Sequence, residues 1–524
     1  MAWLHTWTGL VLGWLLFAMF TTGTTAYFQD EITRWMQPEQ TERVSPARAA
    51  EGAVRWLTQN APGAASWYIT LPNARGVGTT VYWQPGEKPA AAPADKQANG
   101  KAKGRSHRAE TQATLDGQGN TVETRDTRGG FFLYRFHFDL HYMPVMWARY
   151  LVGVAAMSML VAILSGIVTH KKIFADFFML RFGRGQRSWL DAHNVTAVTA
   201  LPFHLMITYT GLVTLATMYM PWSVAANYAS PMSYYQEMRG DLPPVAPSGR
   251  VAALVPIGPI LAEASRRWDG ADAGVVIVSN PGDATANITV TRAWGAGMGT
   301  RGPSLTFSGV SGRMLSASPA QGRATATESV MVGLHAGRFA NLALRWLYFL
   351  AGVGGTIMVA SGLVLWTVKR RAKLPDPARP HVGFRLVEKL NVATIAGLMV
   401  GLACYFHANR LLPLHLADRA EWEINSLFIA WGACLVWSIV RPARRAWVEV
   451  LGVGAVLFAA IPLVNALTTA HNPLASLLEG DWLFPTFDVV MLVTAWVLAL
   501  AALKVQRRRA PAGRRAPPKE LAAA

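Results

Sequence analysis

The sequence predicts a mainly α integral membrane protein of about eight transmembrane helices, and three observations carry that prediction. First, 52% of the 524 residues are hydrophobic and 15% are charged, too apolar a balance for a soluble enzyme of this size. Second, nearly uncharged runs of the ~20 residues that cross a ~30 Å hydrocarbon core fall at 5–27, 147–170, 193–217, 343–368, 388–406, 424–440, 446–467 and 484–504. Third, Lys171, Lys172, Arg181, Arg184 and Arg187 follow the second run, Lys369, Arg370, Arg371 and Lys373 the fourth, Arg441, Arg444 and Arg445 the sixth, and Lys504, Arg507, Arg508 and Arg509 the eighth. Every even-numbered exit is therefore cytoplasmic, as are both termini. These loops and the basic tail account for much of the net charge of +18, so no nucleic-acid partner is needed.

The elements follow in order. Helix one occupies 1–27; a cleaved signal peptide would have a basic start and a shorter apolar stretch. An outer module, 28–142, holds a helix at Pro46–Gln59, strands SWYITL and TTVYWQ, and the turn LDGQGNTV. Its insertion, 88–108, is rich in Ala, Pro, Lys and Gly and is expected to be disordered. Helix two (143–170), a cytoplasmic loop (171–188) and helix three (189–217) lead to a second outer module, 218–336, with ILAEASRRW, GVVIVS, ANITVTRA and FSGVSGRML in the same order. Helix four (337–368), a cytoplasmic loop (369–387), helices five to eight (388–504) and the tail (505–524) complete the chain. Cys404 and Cys434 both lie inside predicted helices, which leaves no disulfide framework and no Cys-x-x-Cys-His haem attachment.

The first half is a duplication. His5 and His193 each precede a Thr-Gly by the same interval, ending at Gly23 and Gly211 (23 − 5 = 211 − 193 = 18). Arg149 to Gly166 and Arg345 to Gly362 are likewise both 17 apart, and Leu140-His141 and Leu334-His335 stand ahead of these helices. An ionisable residue in a membrane helix is costly unless it faces a partner, so the histidines mark a functional site. Topology puts His5 and His193 at the cytoplasmic face and His141 and His335 at the outer face. Paired neutral imidazoles from neighbouring helices are the ligand set of a b-type haem, which gives two haems, one per pair. His204 could ligate the outer haem in place of His141, His170 could replace His5, and His137 could be an alternative ligand or a substrate-side acid. The helix glycines, including Gly9, Gly13, Gly23, Gly166, Gly211 and Gly362, allow close approach of helices or of a flat macrocycle. Asp488 is a candidate proton-handling group, Asn409, Arg410, Glu421 and Glu423 read as the charged rim of an outer loop, and Trp67, Tyr68 and Trp83 offer aromatic surface. No P-loop, dinucleotide fingerprint or Ser-His-Asp arrangement stands out.

The helix-one motif, THKKIFADFFMLRFGRGQRSWLDAHNVTAVTALPFHLMITYTGLV, FHFDLHY and LHAGRFANLALRWLYFLAGVGGTIMVASGLVLWTVKRR resemble the PepSY-associated transmembrane family of iron-regulated inner-membrane proteins. The outer modules resemble PepSY-like domains. The resemblance implies a bacterial inner-membrane location with the large loops in the periplasm, and, as in di-haem members, an oxidoreductase that reduces ferric siderophores or other ferric chelates there for iron acquisition. Electrons would come from quinol or from a separate cytoplasmic reductase. The alternative is a non-redox siderophore-binding or transport-accessory membrane protein.

Overall fold

The computed structural model describes residues 2–40, 44–73, 75–86, 111–169, 181, 186–239 and 245–507. The insertion 88–108, His170, most of the 171–188 loop and the tail beyond 507 lie outside the described residues. The chain forms two compact units, Met1–Ala378 with Leu412–Glu421, and Arg379–Leu411 with Trp422–Ala524.

The first unit begins with α1 (Ala2–Val11) and α2 (Gly13–Ala26), one membrane-length run bent by 63° at Leu12. Gly13 sits at the bend, and a Cβ there would lie 2.7 Å from Leu363. Helices α3 (Gln29–Met36) and α4 (Pro46–Asn60) follow. Ser45 caps α4, accepting from the Arg48 N–H at 3.4 Å, and Pro46 fills the first turn, where its missing N–H costs nothing. Next come α5 (Gly129–Asp139) and the span α6 (Val145–Thr169). A second broken run comprises α7 (Gln186–Thr199) and α8 (Leu201–Thr214), bent by 69°. Pro202 explains this bend, since it lacks the N–H that would continue the helical ladder. Helices α9 (Ile257–Arg267), α10 (Arg323–Ala336) and the span α11 (Leu342–Arg371) complete the unit's main helices. Outward Leu151, Val154, Val161 and Leu164 of α6 are exposed, as a lipid-facing surface requires.

The two segments between the membrane-length runs of the first unit form one sheet rather than two separate modules. Strands β1 (Ala64–Thr70), β2 (Thr79–Pro85) and β3 (Gln112–Leu115) come from the first segment, and β4 (Ala273–Ser279), β5 (Asn287–Arg292), β6 (Ser304–Ser308) and β7 (Met314–Ala317) from the second. Their order is β3-β2-β1-β4-β5-β6-β7, antiparallel throughout, with the halves joined where β1 meets β4 from Ser66↔Ser279 to Thr70↔Val275. Alone, each half would expose a row of unpaired backbone groups along β1 or β4; the junction satisfies both. One face packs on α4 and α9 through a shared core that includes Ala53, Leu57, Trp67, Ile69, Ile260, Val276 and Phe307. Trp67 is buried there, its indole N–H donating to the Ala61 carbonyl at 3.0 Å, and Trp83 packs on Trp56. Of the three aromatics read as surface, only Tyr68 lies on the opposite face, beside Tyr82 at 5.6 Å.

The second unit holds four spans: α12 (Val382–Leu411), α13 (Arg419–Val440), α14 (Ala443–Thr468) and α15 (Leu483–Arg507). A π-helical turn at Val392–Ala396 interrupts α12, and the Trp431 indole donates to the Ala393 carbonyl at 2.8 Å. Among the described residues, six helices long and apolar enough to span and two bent pairs give up to eight membrane crossings. Asn409, Arg410 and Glu423 are helical and buried, which corrects their reading as the rim of a loop. Cys404 and Cys434 are free thiols.

Candidate functional site

Two imidazole pairs are built from the helices of the first unit. His5 of α1 and His193 of α7 have ring centroids 6.3 Å apart, at 81° between planes. His137 of α5 and His335 of α10 have centroids 6.2 Å apart, at 33°. Sequence reading placed His141 opposite His335; the structure brings His137 there instead. The reason is where α5 stops. It ends at Asp139, and Leu140 and His141 follow with φ near +50°, turning the chain off the helix axis. His141 packs against Phe132 and Tyr142 and lines a small recess with Arg135, Phe136 and Asp139. His335 remains inside its helix, two residues before the left-handed Gly337 cap.

Three of the four paired rings are held in one repeated way. The Nδ1 of His137 lies 2.7 Å from the Met19 carbonyl, that of His335 3.0 Å from the Ile207 carbonyl, and that of His193 2.8 Å from the Met358 carbonyl. In each case a glycine stands four residues after the acceptor: Gly23, Gly211 and Gly362. In a helix the side chain at i + 4 leans back over the carbonyl of residue i, so a missing Cβ opens that carbonyl to the ring. A Cβ added to Gly23 would lie 2.7 Å from the His137 ring; the corresponding distances are 2.8 Å for Gly211 to His335 and 3.2 Å for Gly362 to His193. The glycines are thus imidazole seats. Thr210 Oγ1 gives His335 Nδ1 a second neighbour at 3.3 Å. With Nδ1 donating to a carbonyl, Nε2 is the lone-pair nitrogen left to ligate. Burial, with His137 nearby, holds the His335 imidazole down to about 4; burial also lowers His137 against the opposing pull of the Met19 carbonyl. Both shifts favour the neutral imidazole, the ligating form.

The spacing fits a shared metal. Two imidazoles bound in line through bonds of about 2 Å would have centroids roughly 6 Å apart, close to both pairs. Each pair could offer two imidazole nitrogens to one metal ion.

His204 of α8 is buried, with the Ala197 and Ala351 backbones nearby but neither ring nitrogen in a well-aligned hydrogen bond. Along the chain it falls between His193 and Ile207, the carbonyl that anchors His335. Its ring meets Phe20 at 5.9 Å, and a Cβ on Gly355 would lie 3.1 Å from its Nε2. No second imidazole faces it among the described residues. His170 lies outside those residues.

The second unit carries a different polar centre. Asn409 donates to Glu423 at 2.8 Å, Arg410 donates to Asn465 at 2.9 Å and also to Asn409, and Asn465 donates to the His471 carbonyl. Asp488 is buried nearby on α15 with neither oxygen hydrogen-bonded.

The family description "PepSY-associated TM region" matches residues 2–369. A Pseudomonas aeruginosa protein described as "Uncharacterized protein PA4219" is 26% identical over 377 residues, covering 68% of this chain and 91% of its own.

Proposed function

The chain belongs to the PepSY-associated transmembrane family, and from that premise we propose that it is a bacterial inner-membrane oxidoreductase carrying electrons through two b-type haems to a ferric siderophore or other ferric chelate at the periplasmic face. The observation that supports this most is the pair of imidazole pairs at metal-sharing separation, with three rings anchored through Nδ1. His5 and His193 would hold the haem at the cytoplasmic side, His137 and His335 the one beside the sheet. A bound haem supplies a one-electron couple. The chain's own work is orientation: carbonyls fix the tautomers of His137, His193 and His335, glycines let those rings approach, and His204 and Phe20, in contact at 5.9 Å, lie along their helices between the residues of the two pairs. One electron converts the chelate from iron(III) to iron(II), which hard oxygen donors hold less tightly. The donor on the other side would be membrane quinol or a separate cytoplasmic reductase.

Purified protein from haem-sufficient cells should show a Soret band and, with dithionite, sharp low-spin b-type peaks at two haems per chain. Colourless folded protein would overturn the proposal in favour of a non-redox siderophore-binding or transport-accessory role.

A further inference from the structure

Strand β5 ends at Arg292, and residues 293–303 then fold back onto α10 before β6 begins. The fold-back is fixed at several points: the N–H of Arg301 donates to Ser329 Oγ at 3.1 Å, the N–H of Thr300 to the Ser329 carbonyl at 3.2 Å, and the Gln321 amide to the Arg301 carbonyl at 3.1 Å. At Gly333 the loop lies so close that an added Cβ would sit 1.7 Å from the Met298 carbonyl oxygen. Between loop, helix and sheet edge runs an open cleft of about 460 Å³, lined by Arg292, Arg301, Gln321 and Ser329 among others. Its volume is in the range of small-molecule sites.

The cleft is cationic, and its cations are under-used. Arg292 Nε and Arg301 Nη1 are buried without a hydrogen-bond partner, and Arg292 makes no ion pair among the described residues. Arg301 Nη2 lies 2.8 Å from Glu328 Oε2, close in distance but not aligned as a hydrogen bond. Burial pushes the Glu328 carboxyl up, and Arg301 only partly opposes it. Arg338, just beyond the end of α10, stacks over the exposed Trp294 of the loop at 3.8 Å and so places a third cation beside the loop, outside the lining of the cleft. The partly exposed guanidinium groups that line the recess, whose covered Nε and Nη1 atoms have no partner, are suited through their accessible edges to an acceptor-only anion such as a carboxylate or catecholate. Ser329 in the wall lies on the same helix as His335, six positions earlier (335 − 329), or about 9 Å along the axis.

We propose that the Arg292–Arg301 cleft binds a negatively charged ferric chelate, one with carboxylate or catecholate oxygens left over from iron binding, and so seats the substrate beside the His137–His335 pair. The role in reduction rests on the function proposed above; the binding does not.

The test uses the full chain in nanodiscs and gallium(III) citrate, a redox-inert stand-in for an anionic ferric chelate, with binding measured by equilibrium dialysis, through gallium content for the gallium complexes and through a radiolabel for citrate alone. Cationic gallium desferrioxamine B and metal-free citrate are the comparison ligands. Gallium citrate should bind at least tenfold more tightly than either comparison ligand, and less tightly as salt rises. Arg292→Gln and Arg301→Gln should each weaken it about tenfold, as expected for a lost charged hydrogen bond. Glu328→Gln should tighten it several-fold, a gain that misfolding cannot produce. Unchanged binding in both arginine variants, weaker binding in Glu328→Gln, or equal binding of either comparison ligand would overturn the proposal. The two readings can fail separately. Haem-free protein that bound gallium citrate as described would leave the cleft standing and remove the conduit. Haem-loaded protein reoxidised by ferric citrate at the same rate in Arg292→Gln would remove the cleft and leave the conduit.

Discussion

The two imidazole pairs have nearly the same ring separation but are seated differently. In the His137–His335 pair both Nδ1 atoms reach a helix carbonyl and both rings lie on a glycine. In the His5–His193 pair His193 takes that arrangement on Gly362, while His5 is exposed on α1 and a Cβ on Gly9 would meet nothing within 4 Å. Gly166 matches Gly362 in the repeat, yet a Cβ there would also meet nothing within 4 Å, and the Ala162 carbonyl four residues before it accepts from Ser165 Oγ at 3.1 Å. A ring fixed at Nδ1 has lost its orientational freedom before it would meet a metal, so substitutions should be felt most where a ring lies against the glycine.

The largest effects should come from the rings themselves. His335→Ala and His137→Ala should each remove the haem beside the sheet or convert it to high spin while the other stays low-spin, and His193→Ala should do the reverse. His141→Ala should leave two low-spin haems. Loss of a low-spin signal in His141→Ala but not in His137→Ala would show that His141, and not His137, is the partner of His335.

Next come the seats, where the comparison is sharpest. Gly23→Ala and Gly211→Ala put a methyl group where the ring lies and should weaken the sheet-side haem by roughly 10–100-fold, the range for lost outer-shell support. Gly362→Ala, with a looser contact of 3.2 Å, should do less to the other haem, and Gly9→Ala, facing open space, should do nothing. Haem retention during apomyoglobin competition measures all four. Equal losses at Gly9 and Gly211 would break the seat argument.

A smaller effect separates two rings within one pair. Thr210 and its repeat counterpart Thr22 each donate to the carbonyl four residues back, Met206 and Ala18, at 2.7 Å, and Thr210 Oγ1 in addition lies 3.3 Å from His335 Nδ1. Thr210→Val removes one acceptor beside the His335 N–H, makes the imidazole a weaker donor to iron(III), and should raise one midpoint potential slightly. Thr22→Val should leave both potentials unchanged.

Periodicity and duplication reveal much of this molecule, but geometry beyond them does not show in the sequence. The membrane runs, the helix beginning at Pro46 and the alternating strands are legible because apolar spacing reports which face is buried. The joining of β1 to β4 is not, since a repeat shows that two units exist and is silent on which edges meet. For the ring facing His335 the sequence offers His141 first and His137, one helical turn earlier, as the alternative, and the structure brings His137 there. The paired Leu-His dipeptides looked equivalent, yet one lies inside α10 and the other beyond the end of α5, where the backbone has turned left-handed at Leu140 without a glycine to announce it. The Met-x-x-x-Gly spacing, present at Met19–Gly23 and Met358–Gly362 with Ile207–Gly211 beside it, was the available signal. It reads as ordinary helix packing until a ring is seen against it.

The smallest expected effect concerns how the sheet-side pair is supported from below. Arg345, at the start of α11, pairs with Glu31 of α3, which Arg75 also engages at 2.8 Å; in the other half Arg149 pairs with Asp139 at 2.9 Å. Burial disfavours the charged form of Glu31, but Arg75 and Arg345 outweigh it and hold the carboxyl below its ordinary value of 4.5. A carboxyl depressed in the folded state stabilises it fully above the unfolded value and ceases to do so as pH falls through the folded one. Thermal unfolding followed in detergent should therefore show an acid-side loss of stability beginning near pH 4.5 that is reduced in Glu31→Gln. The same variant should cost roughly 1–3 kcal/mol at pH 7, the range for a charged hydrogen bond. An acid limb identical in wild type and Glu31→Gln would mean that α3 and α11 are held together by their apolar contacts alone, such as Phe28 on Trp346 at 4.8 Å and Tyr27 on Tyr348 at 5.2 Å.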